Sequence, residues 1–233
     1  MRALAIVHQP DAGPGVFAEA LAARDVELDR WLIPDGRPPA EPASYDAVLT
    51  FGGAMHTDHE AEHPWLRDEK ALLADLIERR VPLLGMCLGS QLVAEAAGSD
   101  PRRASTPEIG WHEVELTPDG ARDPLLGGLP PRFTAFQWHS YESPLPPGAT
   151  ELARSPVCVQ AFRLEGPAWG IQFHAEVSAE DADYWISDYR SDPDAVRIGL
   201  DPEALRQETN AAITAWNEVG RALCERFVDA IRA

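Results

Sequence analysis

Residues 81–97 constrain the fold more tightly than any other stretch of the chain. They read Val-Pro-Leu-Leu-Gly-Met-Cys-Leu-Gly-Ser-Gln-Leu-Val-Ala-Glu-Ala-Ala. A short apolar run passes abruptly into a segment of helical composition, and Gly98 follows as a residue suited to a helix C-terminus. Cys87 lies at the junction, with Gly85 and Gly89 two residues away on either side. A strand-to-helix turn that presents a nucleophile is sharp and strained, and it needs neighbours without side chains at those two places. The helix N-terminus then points its dipole and free N–H groups at the sulfur and favours the thiolate. The backbone N–H of Leu88 is placed to donate to an oxyanion. Taken alone, the segment also fits an inert buried cysteine between two packing glycines.

The surrounding pattern says what kind of sheet holds this turn. Apolar runs of strand length at 4–8, 26–33, 47–51 and 81–86 alternate with helix-length segments at 14–24, 64–80 and 88–97. Such alternation implies parallel strands with helices on both faces. After residue 100 the pattern changes. Short strands are predicted at 112–117, 133–138, 151–153, 157–162 and 168–173, joined by Pro/Gly turns. Asp201-Pro202 then opens a helical tail whose apolar residues recur every three or four positions from Trp216 to Ile231. The expectation is a three-layer α/β fold with a central mixed, mostly parallel sheet flanked by helices. Residues 1–190 are expected to form one domain, with 191–233 a C-terminal helical extension packed on it.

Composition narrows the partners. The 233 residues carry 20 Lys plus Arg against 38 Asp plus Glu, a formal charge of −18. So acidic a body repels phosphate backbones and anionic lipid, so neither nucleic acid nor a membrane surface is expected. No apolar run approaches the roughly 18 residues of a membrane span. The N-terminal run reaches Gln9-Pro10-Asp11 too soon for a secretory leader. Cys87, Cys158 and Cys224 are odd in number and far apart, which argues against a disulfide framework or a structural zinc site and for a reducing, cytoplasmic setting. Cys158, expected in a Val-Cys-Val strand, and Cys224, on the tail helix, lack the glycine context of Cys87 and read as structural.

A nucleophilic cysteine needs a histidine base, and the base needs a group that fixes its tautomer. Of seven histidines, His174 stands out. Trp169-Gly170-Ile171-Gln172-Phe173-His174-Ala175-Glu176 puts a carboxylate two residues after a histidine at the end of an apolar strand. Residues i and i+2 of a strand face the same side, about 6.6 Å apart. A strand-end histidine beside an exposed glutamate is the bland alternative. A competing chemistry lies in His59-Glu60-Ala61-Glu62-His63, which matches the His-Glu-x-x-His zinc pattern. That pattern requires a continuing helix, and Pro64 biases His63 away from helical dihedrals. A polar loop near the site entrance is the expected reading, with no metal.

Phe51-Gly52-Gly53, Gly85-Met86-Cys87-Leu88-Gly89-Ser90-Gln91 and Gln172-Phe173-His174-Ala175-Glu176 occur in this order. Together they resemble the class I, triad-type glutamine amidotransferase family, over roughly residues 1–180. The resemblance implies a flavodoxin-like core, Cys87 as nucleophile, His174 as base and Glu176 as its orienter. It implies an oxyanion hole from the backbone N–H groups of Gly53 and Leu88, and Gln91 at the glutamine pocket. Trp138-His139-Ser140-Tyr141-Glu142 is similar to the segment that meets the amino-acid end of the substrate, which makes His139, Ser140 and Tyr141 binding residues. The family usually has Pro where this chain has Ala175, and often has Pro where it has Ala54. No Gly-x-x-x-x-Gly-Lys loop is visible, and Lys70 is the only lysine. The chain thus resembles the stand-alone branch that includes GMP-synthase-like amidotransferases and plant γ-glutamyl peptidases. The implied function is a cofactor-free cysteine amidase that hydrolyses glutamine or a γ-glutamyl compound through a thioester on Cys87. One alternative is an ammonia-supplying subunit for a separate synthetase; a second is a non-catalytic binding or regulatory protein on the same fold.

Overall fold

The computed structural model describes residues 1–232. Nine strands form one sheet: β1 (Arg2–Val7), β2 (Glu27–Leu32), β3 (Ala47–Thr50), β4 (Leu83–Met86), β5 (Arg102–Leu116), β6 (Arg132–Glu142), β7 (Thr150–Arg154), β8 (Val159–Arg163) and β9 (Ala168–Ile171). Their order is β2-β1-β3-β4-β9-β8-β7-β5-β6. The first five are parallel, and β8, β7, β5 and β6 add an antiparallel extension. Helices α1 (Val16–Ala23), α2 (Trp65–Glu78), α3 (Leu88–Ala96), α4 (Ala179–Ser187), α5 (Pro193–Arg197) and α6 (Pro202–Arg232) complete the chain.

Period-2 alternation builds the three layers. Along β1, Ala3, Ala5 and Val7 pack with residues of α1 and α6, among them Phe17, Leu21, Trp216 and Phe227. Leu4 and Ile6 point the other way, into Leu66, Leu73 and Leu76 of α2 and Leu92 and Val93 of α3. Strands β3 and β4 repeat the division, with Leu49, Leu84 and Met86 on the first face and Val48 and Leu83 on the second. A strand apolar on both sides is what a parallel sheet covered on both faces demands.

The antiparallel half departs from the sequence expectation in four places. Strand β5 begins at Arg102, ten residues before the expected start. Its first residues are polar, and pairing of Arg102 and Arg103 with Glu142 and Tyr141 extends them despite a register shift before Glu108. Strand β8 begins at Val159, so Cys158 lies in the bend before it and not inside a strand. Strand β9 ends at Ile171, leaving His174 and Glu176 in a bend beyond the sheet. Helices α4 and α5, with a 3-10 turn at Tyr189–Ser191 between them, occupy a stretch with no predicted element. The helical tail starts as expected: Asp201 Oδ1 accepts from the N–H groups of Glu203 and Ala204, and Pro202 opens α6. Helix α6 packs against α1 and α4.

The site faces the C-terminal ends of the parallel strands. Gln9 after β1, Gly53 after β3, Cys87 after β4 and His174 after β9 all line one cavity of about 680 Å³. In open α/β sheets such a crevice is where ligands bind.

Candidate active site

The turn at Cys87 has the strain its sequence predicts. Cys87 adopts φ +50° and ψ −110°, a region few residues other than glycine occupy, and it caps the N-terminus of α3. Both flanking glycines are forced by contact. A Cβ on Gly85 would lie 2.6 Å from the Gly89 carbonyl oxygen, and one on Gly89 would lie 2.2 Å from that of Thr50. The Cys87 N–H donates to the Ile171 carbonyl at 2.8 Å, which ties the elbow to the end of β9.

That same strand end delivers the histidine. The His174 N–H donates to Phe136 at 2.9 Å, and the imidazole is 2.7 Å from Glu176 Oε1 through Nδ1. Cys87 lines the same cavity as His174, and its thiol donates to the Trp138 carbonyl at 3.8 Å. The two-residue spacing works here because the bend turns the Glu176 side chain back on the ring, not because both residues share a strand face. Burial opposes charge on His174, but Cys87 and Glu176 outweigh it and hold the imidazole pKa well above its ordinary value. Trp185 closes one side, edge-on to the ring at 4.8 Å between centroids.

Gly53 and Leu88 line the cavity with Cys87, and neither N–H takes an acceptor among the described residues. Gly52 packs between the reactive groups: a Cβ there would lie 3.0 Å from His174 Cε1 and 3.7 Å from the Cys87 Cβ.

Gln91 sits on the cavity wall, its amide donating to the Tyr141 carbonyl and to Gln172 Oε1, both at 3.1 Å. Tyr141 stacks on His56 with centroids 3.9 Å apart. Asp194 accepts from Arg103 and Arg197, and although burial would push its carboxyl up, neighbouring Ser140, Arg197 and Arg103 hold it at about 2. His139 is buried, with Nδ1 2.9 Å from the Tyr141 carbonyl and Nε2 3.2 Å from Glu108 Oε2. Burial opposes ionisation of Glu108, yet His139 and Ser155 keep it below the usual carboxylate range. His139 therefore braces the wall from behind while its edge still borders the cavity.

The His59 to His63 segment is a series of turns, and α2 starts only at Trp65. His59 lies against His56 at 4.8 Å between centroids and borders the cavity, whereas His63 lies against Trp65. The helical context of the zinc pattern is absent, and the segment is the polar loop at the entrance.

Sequence reasoning missed the far wall. Trp185, Asp188, Tyr189, Asp192 and Asp194 line the cavity from α4, the 3-10 turn and α5. The signals were legible: Ser178 and Asp181 form a reciprocal capping box at α4, and Asp192 before Pro193 caps α5.

Comparison with known proteins agrees with this geometry. Residues 16–188 match the family described as Glutamine amidotransferase class-I. The chain is 29% identical over 185 residues to the glutamine amidotransferase-like protein YfeJ of Salmonella typhimurium, covering 77% of each chain. It is 40% identical over 192 residues to the glutamine-hydrolysing GMP synthase of Aeropyrum pernix, covering 74% of this chain but only 34% of that protein. A glutamine amidotransferase of Thermotoga maritima superposes with a TM-score of 0.88 at 30% identity, covering 98% of both chains. No helix among the described residues is long and apolar enough to cross a membrane. A three-layer sheet, a strained cysteine elbow and a His–Glu pair facing it thus coincide with a family match across most of the chain: the protein belongs to the class I glutamine amidotransferase family.

Proposed function

We propose that the protein is a cysteine amidase acting on the side-chain amide of glutamine or of a γ-glutamyl compound, with Cys87, His174 and Glu176 as its triad. The observation that carries this is a histidine paired with Glu176 through Nδ1 and set beside the strained Cys87 in one cavity, with Gly52 packed against both. The Cys87 thiolate attacks the amide carbonyl. The N–H groups of Gly53 and Leu88 stabilise the tetrahedral oxyanion. His174 gives its proton to the departing amine, which leaves a γ-glutamyl thioester. The neutral ring then takes a proton from water, whose attack on the thioester releases glutamate and the thiolate. Glu176 holds the ring and stabilises the imidazolium without taking its proton. Gln91, Ser140 and Tyr141 face the substrate, and His139 braces that wall. Residues 191–233 belong to the same folding unit as residues 1–190.

A second reading concerns the fate of the ammonia. The chain spans about a third of the GMP synthase it resembles, so a separate synthetase could take the ammonia. The cavity, about 680 Å³, has room for a γ-glutamyl amide with a sizeable leaving group as well as for glutamine. The test is release of glutamate from glutamine and from γ-glutamyl dipeptides by purified protein. Hydrolysis of the dipeptides without any partner supports a free-standing hydrolase. Weak glutaminase activity with intact dipeptides points to the ammonia-supplying role. No release from any substrate, with Cys87 unmodified by a glutamine-analogue diazoketone, overturns the catalytic reading and favours a binding protein.

A further inference from the structure

A third histidine–carboxylate pair lies beneath the site. His8, just beyond β1, is buried and stacks on Trp65 with centroids 5.4 Å apart. Its Nε2 is 2.9 Å from Glu69 Oε2, and its Nδ1 is 2.9 Å from the Gly52 carbonyl oxygen. Glu69, fully buried on α2, accepts at its other oxygen from the Thr50 hydroxyl at 2.7 Å. The Gly52 carbonyl can only accept, so His8 Nδ1 carries the proton of that bond, and with Glu69 ionised Nε2 carries one as well. Burial opposes this charge, but Glu69 and the Gly52 carbonyl outweigh it and raise the imidazole pKa above its ordinary value. A buried ion pair is a costly way to add stability, and this one contacts the loop that precedes Gly53.

The Gly52 carbonyl and the Gly53 N–H belong to one peptide unit. That unit is planar, and no peptide bond among the described residues is cis, so the two groups point in opposite directions. Whatever fixes the carbonyl therefore aims the N–H. A glycine pair needs such fixing, because neither residue has a side chain to restrict rotation of the peptide plane. Space is also restricted on the His8 side: a Cβ on Gly53 would lie 3.0 Å from the His8 Cβ.

We propose that His8, anchored by Glu69, is a positioning residue that clamps the Gly52 carbonyl and so holds the Gly53 N–H toward the cavity as an oxyanion donor. This rests on the reading of Cys87 as nucleophile and Gly53 as part of the oxyanion hole. His8 touches neither substrate nor the sulfur. Its effect falls on the step that develops an oxyanion, not on formation of the thiolate or on ground-state binding.

The experiment compares two reactions of the same thiol. Turnover of glutamine, or of the best γ-glutamyl substrate, needs the oxyanion hole. Alkylation of Cys87 by iodoacetamide displaces iodide, forms no oxyanion and needs only the thiolate. Activity of the wild type and its loss in Cys87→Ser are established first, so failure of the catalytic reading appears there and is separate from failure of this one. In His8→Gln, kcat is expected to fall roughly 10- to 100-fold, within the range for a weakened oxyanion donor. KM and the iodoacetamide rate are expected to stay within about threefold of wild type. Glu69→Gln preserves shape and leaves a neutral His8 able to donate from Nδ1, so a smaller fall in kcat, below about tenfold, is expected there. Circular dichroism establishes that each variant is folded. If His8→Gln does not fold, Glu69→Gln carries the test. An unchanged kcat in every folded variant overturns the proposal, as does a loss of alkylation that matches the loss of turnover.

Discussion

Cys87 stands at positive φ on a cavity wall, whereas Cys158 and Cys224 are buried away from that cavity. Burial and the neighbouring Glu108 push the Cys158 thiol up, and burial does the same to Cys224. Cys87→Ser is therefore expected to abolish turnover and leave the fold intact, while Cys158→Ser and Cys224→Ser keep most activity in a steady-state assay. Glu176 is bound to His174 at 2.7 Å, and in the proposed triad it acts through that ring. Glu176→Gln retains a hydrogen bond but loses the charge and can favour the wrong tautomer. Its kcat is expected to drop about ten- to a thousandfold with a smaller change in KM, or about 1.4 to 4 kcal/mol of transition-state stabilisation. His174→Ala should cost at least as much, and the double variant little more than His174→Ala. Fully additive losses would mean that another residue orients the base. The glycines and the Cys–His–Glu order were legible in the sequence because each is local. The contact at the Gly52 carbonyl was not, since His8 meets it, and Glu69 meets His8, only after three chain segments converge.

At the scale of elements, α6 is the brace of the histidine bend. Trp216 Nε1 donates to the His174 carbonyl at 2.8 Å, and the Asn217 amide donates to the Val177 carbonyl at 2.7 Å. Gly220 lets the helix approach so closely that a Cβ there would lie 2.0 Å from the Ala175 carbonyl oxygen. From the other side the Val16 N–H donates to the Glu176 carbonyl at 2.9 Å. The bend is thus held by four neighbours, which accounts for a fixed His–Glu geometry although Ala175 lacks the rigidity of proline. Trp216→Phe leaves the buried His174 carbonyl without its donor and is expected to cost about 1 to 3 kcal/mol in urea unfolding. Gly220→Ala should lower both the unfolding midpoint and kcat, because the helix must move away from the bend. An unchanged kcat in both variants would show that α6 is dispensable for the geometry. The helical tail was readable from its apolar period, and β1, β3 and β4 from their unbroken apolar runs. The first half of β5 was not, because Arg102 and Arg103 are polar and become extended only by pairing with β6. The end of β9 was misplaced because Phe173 continues the apolar run beyond the last ladder bond.

For the whole molecule, the titrating groups set a pH window for stability. The folded protein holds His8 and His174 above the ordinary imidazole value of 6.5. Their contribution is fully present below that pH and is lost as pH rises through the folded values. Asp194 has the opposite sign: lowered from 3.8 to about 2, it contributes above pH 3.8 and loses that contribution as pH falls towards 2. Thermal unfolding at constant ionic strength should therefore show a maximum between those limits, with a decline on the alkaline side that is shallower in Glu69→Gln. A midpoint that rises steadily through neutral pH would contradict these assignments. The proposed mechanism passes through one covalent species, a γ-glutamyl thioester on Cys87. The most direct measurement is peptide mass spectrometry of protein quenched in acid during turnover of a γ-glutamyl substrate. One γ-glutamyl group on the peptide containing Cys87, absent from Cys87→Ser and removed by hydroxylamine, is the predicted result. Turnover in the wild type with no acyl group on Cys87, or undiminished turnover in Cys87→Ser, would contradict it.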